Sequence, residues 1–478
     1  MAQTFFFYDL ETSGLSARDD RIMQFAGIRT DMDLNPIGEP YNVLVALNDD
    51  TLPSPEALMV TGITPQQTVT DGYTEAQFAK LLCEEIFIDD TIAVGFNNVR
   101  FDDEFVRHLF WRTFYDPYEW CWKNGTSRWD LLDVVRMTRA LRPDGIVWPV
   151  IDGKASNRLE LLTKQNDIDH FKAHDALSDV EALIAVTKLI KQKQPQLYDY
   201  LLKMRSKKEV QKLVSLDDKK PFVYTSGRYD AEHDKTTVAF PLTSGRNGNV
   251  VVYDLRYDPT PLINLSQDEL KKKLFATWEE RSKEGFVKVP VKELQFNRAP
   301  AVAPLGVLEQ ADGWKRLLLD PQTIESHRNI LLASPHFAEN IRSVVESRPE
   351  FAKSTQPEAQ LYDGFVGDRD KLRIETVRNA TERELADFTP QFSDERLAPL
   401  LLHYKARNFP KTLSQSESLE WEQWRTDRIR GQLPAFMTSL QKLAGSEMDD
   451  NKQFVLQELQ LWLESIAPID TSNQDTMD

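Results

Sequence analysis

Two cysteines in 478 residues, Cys83 and Cys121, are too few for a disulfide framework or a structural zinc site. No apolar run approaches the ~20 residues of a membrane span. The first residues lack the basic-then-apolar plan of a secretory signal. No repeat at a fixed period is present, which excludes solenoids and propellers. Positive charge is in deficit: 58 Lys and Arg face 75 Asp and Glu, a net charge of −17. These absences predict a protein of the reducing cytoplasm that does not enter a membrane. Taken globally, the charge also argues against a nucleic-acid binder, because such proteins carry a basic footprint. The charge is segregated, however. Residues 410–478 hold twelve acids against six bases, whereas residues 203–212 hold Lys203, Arg205, Lys207, Lys208 and Lys212 against Glu209 alone. An acidic surface and metal-site acids can therefore coexist with a basic groove. Ordinary globular usage, 41% hydrophobic and 28% charged, over this length predicts two to four domains.

The stretch Thr4-Phe5-Phe6-Phe7-Tyr8-Asp9-Leu10-Glu11-Thr12-Ser13-Gly14 runs from aromatic residues into Asp-x-Glu-Thr-x-Gly. It predicts a buried strand of a mostly parallel sheet. Residues two apart on a strand share a face, so Asp9 and Glu11 aim at one spot. Two carboxylates there repel unless a cation intervenes. A hard divalent ion such as Mg²⁺ prefers oxygen ligands and keeps waters that a phosphate can replace. The other reading is a solvated strand end.

Further strands are expected at residues 25–30, 41–47 and 91–96, with a Pro- and Thr-rich loop over 51–65. Helices are expected at 74–87, 103–114, 131–141, 158–165 and 175–193. Strands alternating with helices predict an α/β domain. From Pro221 the texture changes. Short strands at 223–225, 237–240, 250–254 and 287–291, with one helix near 267–281, predict a small barrel or sandwich. From about residue 320 to 469 the pattern is helical, broken at Pro335, Pro349, Pro390, Pro410 and Pro434, and residues 471–478 read as a frayed tail.

Two later stretches bear on Asp9 and Glu11. In Asn97-Asn98-Val99-Arg100-Phe101-Asp102-Asp103, Asp102 or Asp103 reads either as a helix N-cap or, for Asp102, as a further metal ligand. In His174-Asp175-Ala176-Leu177-Ser178-Asp179, Asp179 falls on the inward stripe of Ala176, Leu183, Val186 and Ile190. An acid on a core-facing stripe is destabilising unless paired or metal-bound. Asp175 suits the helix cap, and His174 stands where it could reach a metal-held water. His170 also has an acid five residues on, Asp175, but the stripe selects His174 with Asp179. Four carboxylates and a histidine of suitable basicity suit in-line phosphodiester hydrolysis on two metal ions.

Asp9-x-Glu11-Thr12, Asn98-x-x-Phe101-Asp102 and His174-x-x-x-x-Asp179, in that order, resemble the three motifs of the DEDDh exonuclease superfamily. The residues from Asn97 to Glu104, Phe114-Tyr115-Asp116-Pro117-Tyr118, Arg128-Trp129-Asp130-Leu131-Leu132-Asp133-Val134, Leu361-Tyr362-Asp363-Gly364-Phe365 and Ala406-Arg407-Asn408-Phe409-Pro410 are similar to the bacterial exonuclease I family. The resemblance implies an α/β ribonuclease H-like exonuclease domain at 1–193, a small SH3-like β-barrel domain at 194–348 and an all-α C-terminal domain at 352–470. It implies a cytoplasmic, monomeric enzyme that degrades single-stranded DNA 3′→5′ to 5′-mononucleotides and serves DNA repair and recombination. Asp9, Glu11, Asp102 and Asp179 would hold two Mg²⁺ ions, for which Mn²⁺ could substitute, with Asp9 between both. His174 would be the general base. Glu11 and Arg158 would meet the substrate near the site. Leu10 and Ser13 depart from the family pattern without touching the metal set.

Single strands are held by aromatic platforms interleaved with bases. Arg107, Tyr115, Tyr118, Trp120, Trp122, Arg128, Trp129 and Arg136 form such a stretch, in which at least half of the aromatics are expected to be core. Tyr118 and Trp122, four apart, would share a face. Arg107 and Arg136 match positions that touch DNA in the family. In residues 203–212 Lys207 is the strongest candidate contact, against the reading of a solvated helix face. The family also implies association with single-stranded-DNA-binding protein, whose acidic tail needs a basic, apolar pocket. Lys220 and Arg142 are candidates. Enclosure of the strand by the later domains would favour processive cutting. An RNA-trimming exonuclease and an inactive nucleic-acid-binding scaffold are the competing readings. Sugar choice is not legible in these residues, and the filled catalytic positions argue against the scaffold.

Overall fold

The aromatic run forms a strand, β1 (Thr4–Thr12), and the first part of the fold is built around it. The structure, a computed structural model, describes residues 2–169, 175–350 and 352–468. They divide into two compact units, one of residues 1–127, 171–181 and 352–478, the other of residues 128–170 and 182–351.

In the first unit β2 (Ile22–Thr30) pairs antiparallel with β1, placing Asp9 opposite Ala26 and Tyr8 opposite Gly27. The strand β3 (Tyr41–Leu44) pairs antiparallel with β2, and β4 (Thr91–Gly95) runs parallel to β1. The sheet is therefore mixed, not mostly parallel as the sequence suggested. The reason lies in the connections. Nine residues separate β1 from β2, and a parallel return needs a crossover of a dozen or more. Alternation along β1 sends Phe6, Tyr8 and Leu10 into one core with Phe78, Phe105, Leu109 and Phe110. Asp9 and Glu11 take the opposite face. A Cβ on Gly27 would lie 2.3 Å from the Phe6 ring. Gly27→Ala is expected to lower stability by ~1–3 kcal/mol through overpacking, measured by denaturant unfolding. An unchanged midpoint would mean that Phe6 is free to move.

The Pro-rich stretch expected as a loop holds two helices, α1 (Pro55–Thr61) and α2 (Pro65–Asp71). Each proline is at the first helical position, and Ser54 and Thr64 cap the two ends. Proline is suited to that position because the missing N–H would be unpaired anyway. The helix expected at 74–87 divides into α3 (Glu75–Leu81) and a π-helical turn, Leu82–Ile86. Helix α4 spans Asp102–Arg112.

Helices of the C-terminal region complete the same unit. Ile429, Phe436, Leu440, Val455, Leu459 and Trp462 pack with Met23, Leu47, Leu52 and Leu58. Leu361, Val377, Leu400 and Tyr404 pack with Trp111 and Phe114. Pro434, expected as a break, lies inside the helix Gln415–Ala444. The buried Ile429, Phe436 and Leu440 on either side hold the helix together despite the missing N–H bond. A buried ionic cluster joins the two regions. Arg21 donates to Glu358 (2.6 Å), Arg112 to Glu75 (2.6 Å) and Arg407 to Asp50 (2.7 Å) and Glu358, while Arg428 lies 3.2 Å from Asp50.

The second unit carries a five-stranded antiparallel sheet of Phe222–Thr225, Thr236–Ser244, Val250–Asp254, Val291–Leu294 and Ala301–Pro304. The strand expected at 287–291 begins only at Val291. Ala301–Pro304 was missed because four residues ending in proline carry little strand signal. The expected single helix near 267–281 is two, Gln267–Leu274 and Trp278–Arg281, each with its own capping box. Also in this unit are α5 (Leu131–Leu141) and α6 (Leu159–Gln165). Helix α7 (Ala176–Lys193) begins in the first unit. Among the described residues no helix is long and apolar enough to cross a membrane.

Candidate active site

Asp9 and Glu11 leave the same face of β1, and α7 brings Asp179 to them. One carboxylate oxygen of each of the three lies within 4.8 Å of the others. The local chain explains Asp179. Asp175 accepts a hydrogen bond from the Ser178 backbone N–H (3.1 Å), which makes it the cap of α7. Ala176, Val180, Leu183, Val186 and Ile190 are buried along that helix, and half-buried Asp179 stands beside this stripe at its first turn.

Asp102 opens α4. Neither it nor Asp103 serves as N-cap: the cap position is Phe101, which makes no side-chain capping bond. The two acids divide instead. Asp103 is fully buried, whereas the Asp102 charge acts on Asp9 and Glu11. Asp9 and Glu11 keep some surface, yet the loss of water around them is the first influence on their ionisation. It combines with the charges of Asp102, Glu11 and Asp179 to hold the Asp9 carboxyl well above the ordinary range. Glu11 is pushed up to about 8, by burial first and then by Asp179, Asp102 and Asp175. An all-oxygen group of mutually repelling carboxylates is the donor set that a hard divalent cation satisfies. His174 and His170 lie outside the described residues.

The expected strand contacts fall in both units. In the first, Arg107 is buried and pairs with Glu104 (2.9 Å), with its guanidinium 5.6 Å from the Tyr118 ring centre. Tyr118 lies against Phe365 (centroids 6.1 Å) and Trp122 is 64% exposed. Tyr118 and Trp122 do not share a helical face. Only a three-residue 3-10 turn, Glu119–Cys121, lies between them, and Trp122 has extended φ (−153°). Trp120 and Trp129 are buried in the core and Tyr115 packs half-buried against it, so two of the five aromatics are fully core where at least half were expected, and Arg128 is buried with a hydrogen bond to the Asn297 carbonyl (2.8 Å). In the second unit, Arg136 is paired with Asp133 (2.7 Å). Arg158 precedes α6 with an exposed side chain 3.9 Å from Glu160. Lys207 opens the helix Lys207–Leu213 and is exposed, while Lys203 (3.3 Å) and Lys212 (2.6 Å) share Glu209. Lys220 is exposed. The Arg142 guanidinium donates to the Leu141 and Val307 carbonyls and to Gln310.

Sequence reasoning missed the buried pair Tyr8 and Asp103, and Phe365 beside Tyr118. For Phe365 the available signal was its place at the end of the family-like stretch Leu361-Tyr362-Asp363-Gly364-Phe365, which gives no hint of the Tyr118 ring. For Asp103 it was a second acid where one ligand sufficed.

The strand-borne carboxylate pair and the helix-borne acid that meets it all lie within residues 6–187, which match the family model described as Exonuclease. Models described as Exonuclease I SH3-like domain and Exonuclease I C-terminal domain match residues 205–347 and 355–466. The chain belongs to the exonuclease I family. Exodeoxyribonuclease I of Haemophilus influenzae is 40% identical over 459 residues, 95% of this chain and 96% of that protein. The structure of a moderately thermophilic exonuclease I from Methylocaldum szegediense superposes with TM-score 0.93 at 39% identity, covering 98% of this chain and 100% of that one. The zinc-ion-bound form of an E. coli exonuclease I complex with single-stranded DNA superposes with TM-score 0.91 at 38% identity, covering 98% and 100%.

Proposed function

We propose that the chain removes nucleotides from the 3′ end of single-stranded DNA by hydrolysis on two Mg²⁺ ions, with Mn²⁺ an accepted substitute. The observation that carries this reading is the approach of Asp9, Glu11 and Asp179 to within 4.8 Å, in a setting that resists three unneutralised charges. Asp9, Glu11, Asp102 and Asp179 are the metal-holding residues. Divalent ions held there supply charge that favours ionisation of a water and stabilises the leaving 3′-oxygen. His174 takes the proton of the attacking water. The new P–O bond forms as the P–O3′ bond breaks, and a 5′-mononucleotide leaves. Glu11 and Arg158 orient the terminal nucleotide. Arg107, Tyr118, Trp122, Arg136 and Lys207 hold the strand behind it. Working boundaries are 1–193, 194–348 and 352–470.

Digestion with Mg²⁺ of single-stranded and duplex DNA labelled at either end, beside an RNA of the same sequence, tests the reading. The 3′ label is expected to leave first, as mononucleotide, from single-stranded DNA. Preferential loss of RNA would favour the trimming enzyme, and no release would leave a binding scaffold. Lys207→Ala is expected to weaken strand binding about equally for all sequences and to reduce the salt slope by about 1. An unchanged slope in fluorescence titrations would remove Lys207 from the contacts. The enzyme acts as a cytoplasmic monomer in DNA repair and recombination. Its partner is single-stranded-DNA-binding protein, with Lys220 and Arg142 meeting the acidic tail.

A further inference from the structure

We propose that Tyr8, Asn98 and Asp103 form a buried positioning triad that fixes the direction of the Asp102 carboxylate. The inference rests on the two-metal reading and names residues that do not themselves meet the metal.

Tyr8 follows three phenylalanines in β1, all four rings being fully buried. A phenylalanine would fill that core equally well, so the hydroxyl calls for a separate reason. Its O–H donates to Oδ1 of Asp103, a residue 95 positions away on the first turn of α4. Asn98 Nδ2 donates to the same oxygen (3.2 Å). A buried carboxylate is tolerated only with such donors. Asn98 is itself set by its surroundings. Residue 97, before it, is in the left-handed region (φ 72°), and a Cβ on Gly95 would come within 2.6 Å of the Asn98 Cβ. The end of β4 therefore admits only glycine if Asn98 is to reach Asp103.

The consequence passes to Asp102 through helix geometry. No side chain caps α4, and its cap residue Phe101 has φ −128° and ψ −78°. Asp103 is thus the anchor of a first turn that lacks the usual one. Consecutive helical residues point ~100° apart, so clamping Asp103 into the Tyr8 face of the sheet turns Asp102 away from that core. Tyr8 and Asp9 are adjacent in β1 and point to opposite faces. One end of the clamp is therefore covalently next to Asp9, and the other is next to Asp102. The triad ties the spacing of these two acids to the buried core.

The test uses the full chain with Tyr8→Phe, Asp103→Asn and Asn98→Ala, none of them a proposed ligand. Mn²⁺ binding without DNA is measured by titration calorimetry, beside the Mg²⁺ dependence of nucleotide release and single-strand affinity in chelator. Tyr8→Phe is expected to weaken Mn²⁺ binding and raise the half-saturating Mg²⁺ concentration by about tenfold, the size of effect when a group supporting a metal ligand is lost. DNA affinity in chelator is expected to stay unchanged. In the Asp103→Asn background, Tyr8→Phe is expected to add little, because the two act through one bond. A lowered melting temperature with metal binding within about twofold of wild type would overturn the proposal and leave the triad as core. A lower rate at saturating metal with unchanged metal affinity would overturn it too. If Asp103→Asn does not fold, Tyr8→Phe, which keeps the ring, decides alone. Failure of the wild type to bind Mn²⁺, or of Asp9→Ala to abolish that binding, would instead overturn the two-metal reading, so the two failures are distinguishable.

Discussion

Asp9→Asn is expected to abolish hydrolysis while making the metal-free protein harder to unfold. The two effects have one origin. Asp9 sits among Glu11, Asp102 and Asp179, and burial and these charges hold its carboxyl well above the ordinary range. Removing a ligand that neutralises the phosphate through the metal should cost several kcal/mol of transition-state stabilisation, about 10³-fold or more in rate. Removing the same charge from a crowd of like charges should raise the melting temperature in chelator by about 2–4 °C. The pH dependence follows from the direction of the shifts. Asp9 and Glu11, the latter pushed up to about 8, keep protons in the fold that the unfolded chain has already released. Metal-free stability therefore falls as pH rises from the ordinary carboxylate range, near 4.5, through about 8. Divalent cations should flatten that slope, and so should Asp9→Asn. Thermal unfolding across this range, with chelator and with Mg²⁺, checks both statements. A melting temperature in chelator that is insensitive to pH and to the substitution would mean that these acids do not repel one another.

Glu358→Ala is expected to destabilise the protein by ~3–5 kcal/mol, the loss found when one member of a buried ionic group is deleted and its partners stay behind. Glu358 receives Arg21 and Arg407, and His403 lies 2.9 Å away. Burial alone would raise its carboxyl, but Arg407, Arg21 and His403 reverse that and hold it well below the ordinary range. Asp50 follows the same pattern with Arg407, Arg428 and Arg21. Carboxyls depressed in this way contribute stability that is present above their unfolded values. It is lost as pH falls through the lower folded values. Acid unfolding of the wild type is therefore expected below about pH 4, outside the window in which the site acids act. Denaturant titration at neutral pH, and an acid titration of wild type and variant, measure the two effects. A variant within about 1 kcal/mol of wild type would mean that water replaces the lost carboxylate.

Local features were legible in the sequence where one physical cause dominated. The aromatic run gave β1, alternation placed Asp9 with Glu11, and helical spacing placed Asp179 on the inner side of α7. Helix α5 was bounded at Leu131 and Leu141 because its apolar period is strong. Features decided by distant partners were not legible. Pro434 reads as a break until Phe436 and Leu440 are seen in a core with Met23 and Leu58. The prolines of α1 and α2 read as loop until their caps are seen. Arg21, Asp50, Glu75 and Arg112 carry no local mark of the ionic cluster, whose members Glu358, Arg407 and Arg428 lie more than 200 residues on. Arg107 showed its charge in the sequence, but not that its guanidinium lies over the Tyr118 ring while pairing with Glu104. Asp103 read as a helix cap, because nothing near it in sequence announces the Tyr8 hydroxyl.

The helices Gln415–Ala444 and Asp450–Ile466 cover Met23, Leu47, Leu52 and Leu58. On the ribosome those early side chains emerge long before their cover exists. Contacts of such sequence separation form slowly and leave apolar surface open to other chains meanwhile. Synthesis must thus pass residue 466 before the cluster around Met23 and Leu58 can close, although the buried core around Phe6 and Tyr8 draws on nothing beyond Trp120. A nascent chain is then a client for chaperones well before it is a nuclease, and a message cut short late in the gene yields an aggregation-prone protein instead of a weakened enzyme.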